Sequence, residues 1–133
     1  MGKMIKYFFL FLVLIFQTVL IPQQSDSPDT IDISEYLFFA EEMPHPIGGV
    51  EGIAEKLVYT EEALRAEIQG RVYIQAFINE NGDVTKIKVK KSLGYGLDEN
   101  ASNIILNTKF KPGKNKGMPV KVFIVMPIEF KLK

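Results

Sequence analysis

Apolar residues recur at every second position through Val120, Val122, Ile124, Met126, Ile128, Phe130 and Leu132, so the chain ends in a half-buried strand. Pro127 falls in the opposite phase of that run. A proline has no N–H to give to a ladder, and a strand that tolerates one belongs at the rim of its sheet. A second alternating run spans Arg71 to Asn79, with Val72, Ile74, Ala76 and Ile78 on one face and Tyr73, Gln75 and Phe77 on the other. Asn81-Gly82 then predicts a two-residue type I′ hairpin, and Val84 to Lys91 returns as a strand in which Thr85, Ile87 and Val89 oppose Lys86, Lys88 and Lys90.

Helical spacing appears in two places. After Thr60, a side chain suited to cap a helix, Glu61 and Glu62 complement the positive helix end, Leu64 and Ile68 share a face, and Gly70 terminates the unit. Leu97, Ala101, Ile104, Ile105 and Thr108 predict a second helix from Asp98, its expected cap, to Thr108. A short turn is expected earlier, at Glu51 to Leu57. Pro44, Pro46, Gly48 and Gly49 mark Met43 to Gly49 as loop, and Lys114 to Gly117 as a basic turn follows Pro112-Gly113. The order helix, strand, strand, helix, strand predicts an α+β fold: a three-stranded antiparallel sheet, ordered second, first, last, with two helices packed on one face. On the other face Tyr73, Phe77, Phe123 and Val125 emerge together, more apolar surface than a free monomer leaves open. Tyr36 to Phe39 is expected to cover it, with Phe38 and Phe39 contributing to stability; a homodimer contact is the rival cover.

The front of the chain differs in character. Lys3 and Lys6 precede an apolar run from Tyr7 to Ile21, the layout of a secretory signal. As a helix the run rises roughly 22 Å, short of the ~30 Å hydrocarbon core, and no small-x-small cleavage site follows it. Residues 1–21 therefore read as a signal peptide or as a retained membrane anchor over 4–21, either placing the rest outside the cytoplasm. Residues 22–42 read as a short linker or extended segment, and 43–133 as one folded domain, the size that 133 residues with 47% hydrophobic content allow.

Charge is zero overall but lopsided. Pro22 to Gly70 holds eleven acids against Lys56 and Arg65, whereas Arg71 to Lys133 holds twelve bases and five acids. The bases alternate along strands without a nucleic-acid motif, which argues against nucleic acid as partner; Lys86, Lys88, Lys90 and Lys91 could meet an anionic surface such as peptidoglycan or lipid. With no cysteine there is no disulfide framework or thiolate site. His45 stands alone between two prolines, too little for a metal, and Glu41-Glu42 and Glu61-Glu62 lack the nucleophile and orienting groups of a catalytic set. Gly48-Gly49 is too short for a phosphate loop. No enzyme activity and no cofactor are expected.

Met43-Pro44 with Pro46-Ile47-Gly48-Gly49, Tyr59 with Glu62-Ala63, Ile68-Gln69-Gly70-Arg71-Val72, Asn81-Gly82-Asp83-Val84 and Leu97-Asp98-Glu99 are followed in order by Phe110-Lys111-Pro112-Gly113, Pro119-Val120 and Pro127-Ile128-Glu129-Phe130. Taken together, over Met43 to Leu132, these segments resemble the C-terminal domain of the energy transducer TonB. The resemblance implies a periplasm-facing adaptor that binds the TonB box, a short peptide of outer-membrane transporters, by adding it to the last strand, and that passes force from inner-membrane proton-motor proteins. Strand alternation, phased by Pro127, then puts the partner-binding edge at Lys121, Phe123, Val125, Pro127 and Glu129. Three features depart from the family pattern. Thr60 follows the tyrosine where proline is common, no histidine lies between Tyr7 and Ile21, and Pro22 to Glu42 is too short to be the long proline-rich spacer of a full transducer. The alternative is an envelope scaffold or peptidoglycan-associated module of the same fold without energy coupling; a third possibility is self-blocking, in which Ile31 to Ala40 occupies the edge as a resident strand.

Overall fold

A computed structural model describes residues 32–133. The signal or anchor expected at 1–21, and the first part of the expected linker, lie outside the described residues. Three long strands form the main sheet: β2 (Gly70–Ile78), β3 (Val84–Lys91) and β7 (Val122–Phe130), in the antiparallel order β3-β2-β7. Smaller pairs flank it. β1 (His45–Pro46) meets β4 (Phe110–Lys111), and β5 (Gly113–Asn115) meets β6 (Met118–Val120) across Lys116 and Gly117, both at positive φ as a type I′ turn requires. The expected loop at Met43 to Gly49 thus contains a short strand.

The α+β fold class is the one expected. Val72, Ile74, Ala76 and Ile78 are fully buried, and on β7 Val122, Met126, Ile128 and Phe130 join them. Helices α1 (Gly49–Lys56), α2 (Glu61–Arg65) and α3 (Leu97–Leu106) contribute Ile53, Ala63, Leu97, Ala101 and Ile105 to the same core. The earlier turn is a full helix, α1, so the helical layer has three members rather than two.

Three local expectations are corrected. Helix α2 is capped by Thr60, whose Oγ1 accepts from the Ala63 N–H at 3.1 Å, but it stops well before Gly70. Glu67 takes positive φ and donates to the Leu64 carbonyl, while Ile68 donates to Ala63, the pairing that closes a Schellman C-terminus. The chain thereby turns early, leaving Ala63 fully buried and Leu64 49% exposed. Helix α3 begins after Gly96, not at an Asp98 cap; the Asp98 carboxylate instead accepts from the N–H groups of Leu93 and Gly94 and fixes the turn before the helix.

The β2–β3 hairpin differs as well. Asn79 and Asp83 bracket a loop of Glu80, Asn81 and Gly82, in which only Gly82 has positive φ. This is a type I turn followed by a left-handed glycine rather than a type I′ turn. Irregular register between Ile78↔Val84 and Phe77↔Lys86 leaves Thr85 as the extra residue of a bulge. Thr85 consequently joins the lysine face, where its Oγ1 donates to the Phe77 carbonyl.

Candidate functional site

Among the named strands β7 pairs only with β2, from Gly70↔Phe130 to Ile78↔Val122, and so forms the rim of the main sheet. Within a strand the N–H and C=O of one residue point to the same side and alternate along the chain. Pro127 lies opposite Tyr73; lacking an N–H, it occupies the outward phase, which it shares with Lys121, Phe123, Val125 and Glu129. An independent bond fixes the same phase. The Phe123 N–H donates away from β2, to the carbonyl of Leu37 at 2.9 Å.

That bond also divides the rim. Leu37 forms a parallel bridge to Val122, with its own N–H donating to the Lys121 carbonyl at 2.9 Å. Of the five residues expected to hold a partner, Lys121 and Phe123 therefore have outward backbone groups already engaged by the chain itself. The Lys121 side chain is engaged too: its Nζ donates to Glu35 and sits 5.8 Å from the centre of the Tyr36 ring. The bond to Glu35 raises the Lys121 pKa above 10.5. Val125, Pro127 and Glu129 remain, and their outward groups have no backbone partner among the described residues. Val125 is 50% exposed.

Beside this vacant half lie two adjoining grooves. One, of ≈ 240 Å³, is lined by Val50, Ile53, Ala54, Leu57 and the β7 residues Pro127 to Glu129. The other, of ≈ 730 Å³, extends it past Tyr59 and Leu64 to Leu132. The Tyr59 hydroxyl donates to the Ile68 carbonyl, and its pKa is raised by burial. The groove residues Val50, Ile53 and Leu57 were not singled out from the sequence, although their spacing is helical; the flanking Gly48-Gly49 and the brevity of α1 masked the periodicity.

The outer face of the sheet is covered by one residue of the expected four. Tyr36 is buried, packs edge-on against Phe77 with ring centres 5.3 Å apart, and hydrogen-bonds Thr85 Oγ1 through its hydroxyl at 2.6 Å. Phe38 and Phe39 are 76% and 68% exposed and do not pack there. The physical reason is the Leu37 bridge, which leads the backbone along the rim and away from the face. Lys88 and Lys91 stand 5.8 Å from the centres of the Phe77 and Tyr73 rings, and neither they nor Lys86 and Lys90 form an ion pair among the described residues. His45 is exposed in β1 opposite Lys111.

The sequence profile described as Gram-negative bacterial TonB protein C-terminal matches residues 55–132. Among solved structures, the NMR solution structure of the Helicobacter pylori TonB C-terminal domain, residues 194–285, is similar at 30% identity and a TM-score of 0.50, covering 62% of this chain and 88% of that one. No curated protein matches. Among the described residues no helix is long and apolar enough to cross a membrane.

Proposed function

The chain belongs to the family of Gram-negative TonB C-terminal domains, and from that premise we propose that it is a periplasm-facing adaptor whose β7 rim takes up the TonB box of an outer-membrane transporter as an additional strand. One observation carries this reading: Val125 and Glu129 present backbone groups without a backbone partner among the described residues, on a sheet rim whose Pro127 to Glu129 end lines an apolar groove. Backbone pairing supplies affinity without regard to sequence, while alternate side chains of the guest drop toward Val50, Ile53 and Leu57 and supply selectivity. Force drawn through such a ladder loads several hydrogen bonds at once, which suits a contact that must pull. Inner-membrane proton-motor proteins are the partners that would generate that force.

Calorimetric titration with a synthetic TonB-box peptide tests the reading, with Val125→Pro as the control. Proline at 125 lies in the same outward phase as Pro127, so it removes the rim donor while sparing the ladder to β2. The unaltered chain should bind, and the variant should bind at least about tenfold more weakly, the loss of roughly one hydrogen bond in a partly shielded site. Equal binding by both would move the contact to another surface.

A specific observation also favours the scaffold reading. Lys86, Lys88, Lys90 and Lys91 lie along one strand without acidic partners among the described residues, a surface fitted to an anionic polymer such as peptidoglycan. Sedimentation with peptidoglycan, abolished by replacing these four lysines with glutamine, in a chain that ignores TonB-box peptides would select it.

A further inference from the structure

We infer that the Tyr36–Leu37 segment is a resident strand that occupies the first half of the β7 rim and must be displaced before a long guest peptide can pair along the whole of it. The inference rests on the strand-addition reading and adds a regulation to that site.

The resident segment uses the same groups that a guest would use. Leu37 donates to Lys121 and accepts from Phe123, both at 2.9 Å, the two bonds that a parallel strand makes around Val122. Leu37 itself is 42% exposed. Only the covered part of its surface is lost when it leaves, and a guest replaces its two bonds with two of its own. What resists the exchange is Tyr36, held by the Phe77 ring and by Thr85. Upstream, the Ile33–Glu35 turn is closed by Asp32 accepting from the Ser34 N–H and is tied to β7 through Glu35 and Lys121. Downstream the segment is fastened again where Ala40 is buried and Glu42 pairs with Lys114. Between these anchors only Phe38 and Phe39 are loose, so the segment can lift locally without disturbing the core.

A rim divided in this way treats guests by length. A peptide spanning only Val125 to Glu129 meets vacant groups, whereas one reaching Lys121 competes with Leu37 and sees its affinity reduced by the fraction of molecules whose segment is in place.

The test titrates the full chain, Tyr36→Ala and Leu37→Pro with a TonB-box peptide long enough to span Lys121 to Glu129. Tyr36→Ala removes the anchor. Leu37→Pro removes one bond and leaves the anchor, and Tyr36 already has the extended conformation, φ −87° and ψ 126°, that a residue before proline requires. Each variant should bind about tenfold more tightly than the unaltered chain, the effect of raising the competent fraction from about a tenth to nearly all. Because the chain has no cysteine, Phe38→Cys can carry a single nitroxide, whose motion should increase when the peptide saturates. Binding of equal strength in all three chains, with the nitroxide unmoved, overturns the resident-strand inference and leaves strand addition at Val125 to Glu129 standing. Absence of binding in all three overturns strand addition and the inference together.

Discussion

Gly82 accepts the Phe110 N–H at 2.9 Å, and a Cβ placed on Gly82 would collide with the Phe110 carbonyl oxygen. The tip of the β2–β3 hairpin is thus clamped onto β4, and Gly82, at φ 83°, has neither the room nor the backbone conformation for a side chain. Gly82→Ala should lower stability by at least ~2 kcal/mol, combining left-handed strain with the lost close approach. Chemical denaturation with an unchanged slope would measure it; a midpoint equal to that of the parent chain would contradict the clamp.

Covering of the outer sheet face depends on Tyr36 rather than on its aromatic neighbours. Phe38→Ser with Phe39→Ser should change stability by no more than about 0.5 kcal/mol, as for exposed positions generally. Tyr36→Ala should cost about 2 kcal/mol through lost burial and lost edge-to-face packing on Phe77. Thermal melting of the two variants side by side decides between these residues, and the opposite ranking would place the two phenylalanines on the sheet.

The early close of α2 predicts an inverted sensitivity at neighbouring positions. Ala63→Leu forces a large side chain into a fully buried site and should cost about 1–3 kcal/mol. Leu64→Gln, at a position about half exposed, should cost less than about 1 kcal/mol. Spacing alone places Leu64 and Ile68 on one inward face, and that inference fails because Glu67, not Gly70, enters the left-handed region. A residue without glycine's freedom gives no advance sign that the helix ends there.

Acid should loosen the turn ahead of Tyr36. Two hydrogen bonds from Ser34, from its hydroxyl and from its N–H, hold the Asp32 carboxyl below its usual 3.8. A lowered pKa stabilises the fold above 3.8 and ceases to do so as pH falls through the lowered value. Lys121 behaves in the opposite sense: its raised pKa helps below 10.5 and stops helping as pH rises through the folded value. Carbon chemical shifts of the Asp32 carboxyl should titrate below 3.8 and move upward in Ser34→Ala; a midpoint above 3.8 in the parent chain would contradict the turn.

Much of the framework was legible because apolar alternation sustained along a whole segment fits a half-buried strand and little else. Val72 to Ile78 and Val122 to Phe130 place their buried faces as the pattern predicts, and Pro127 marks the rim before any pairing is known. The hairpin was legible in place but not in type, since Asn81-Gly82 fits two turns and only the conformation of Asn81 distinguishes them. Occupation of the rim was legible only as an alternative spread over Ile31 to Ala40, and nothing singled out Leu37. Its contact uses only backbone N–H and C=O, which every residue but proline possesses, so no side-chain pattern records it. Tyr36 left a partial sign, as one aromatic in a group of three, with nothing to say which of them turns inward.

Strand addition at the rim is tested most directly by amide hydrogen exchange along β7. In the free chain the Val125 N–H should exchange rapidly while Ile124 and Met126, whose amides face β2, are protected. A saturating TonB-box peptide should slow Val125 and Glu129 and leave the inward amides as they were. Peptide binding that leaves Val125 exchanging at its free rate, or a Val125 amide already protected without peptide, would rule out a guest strand on this rim.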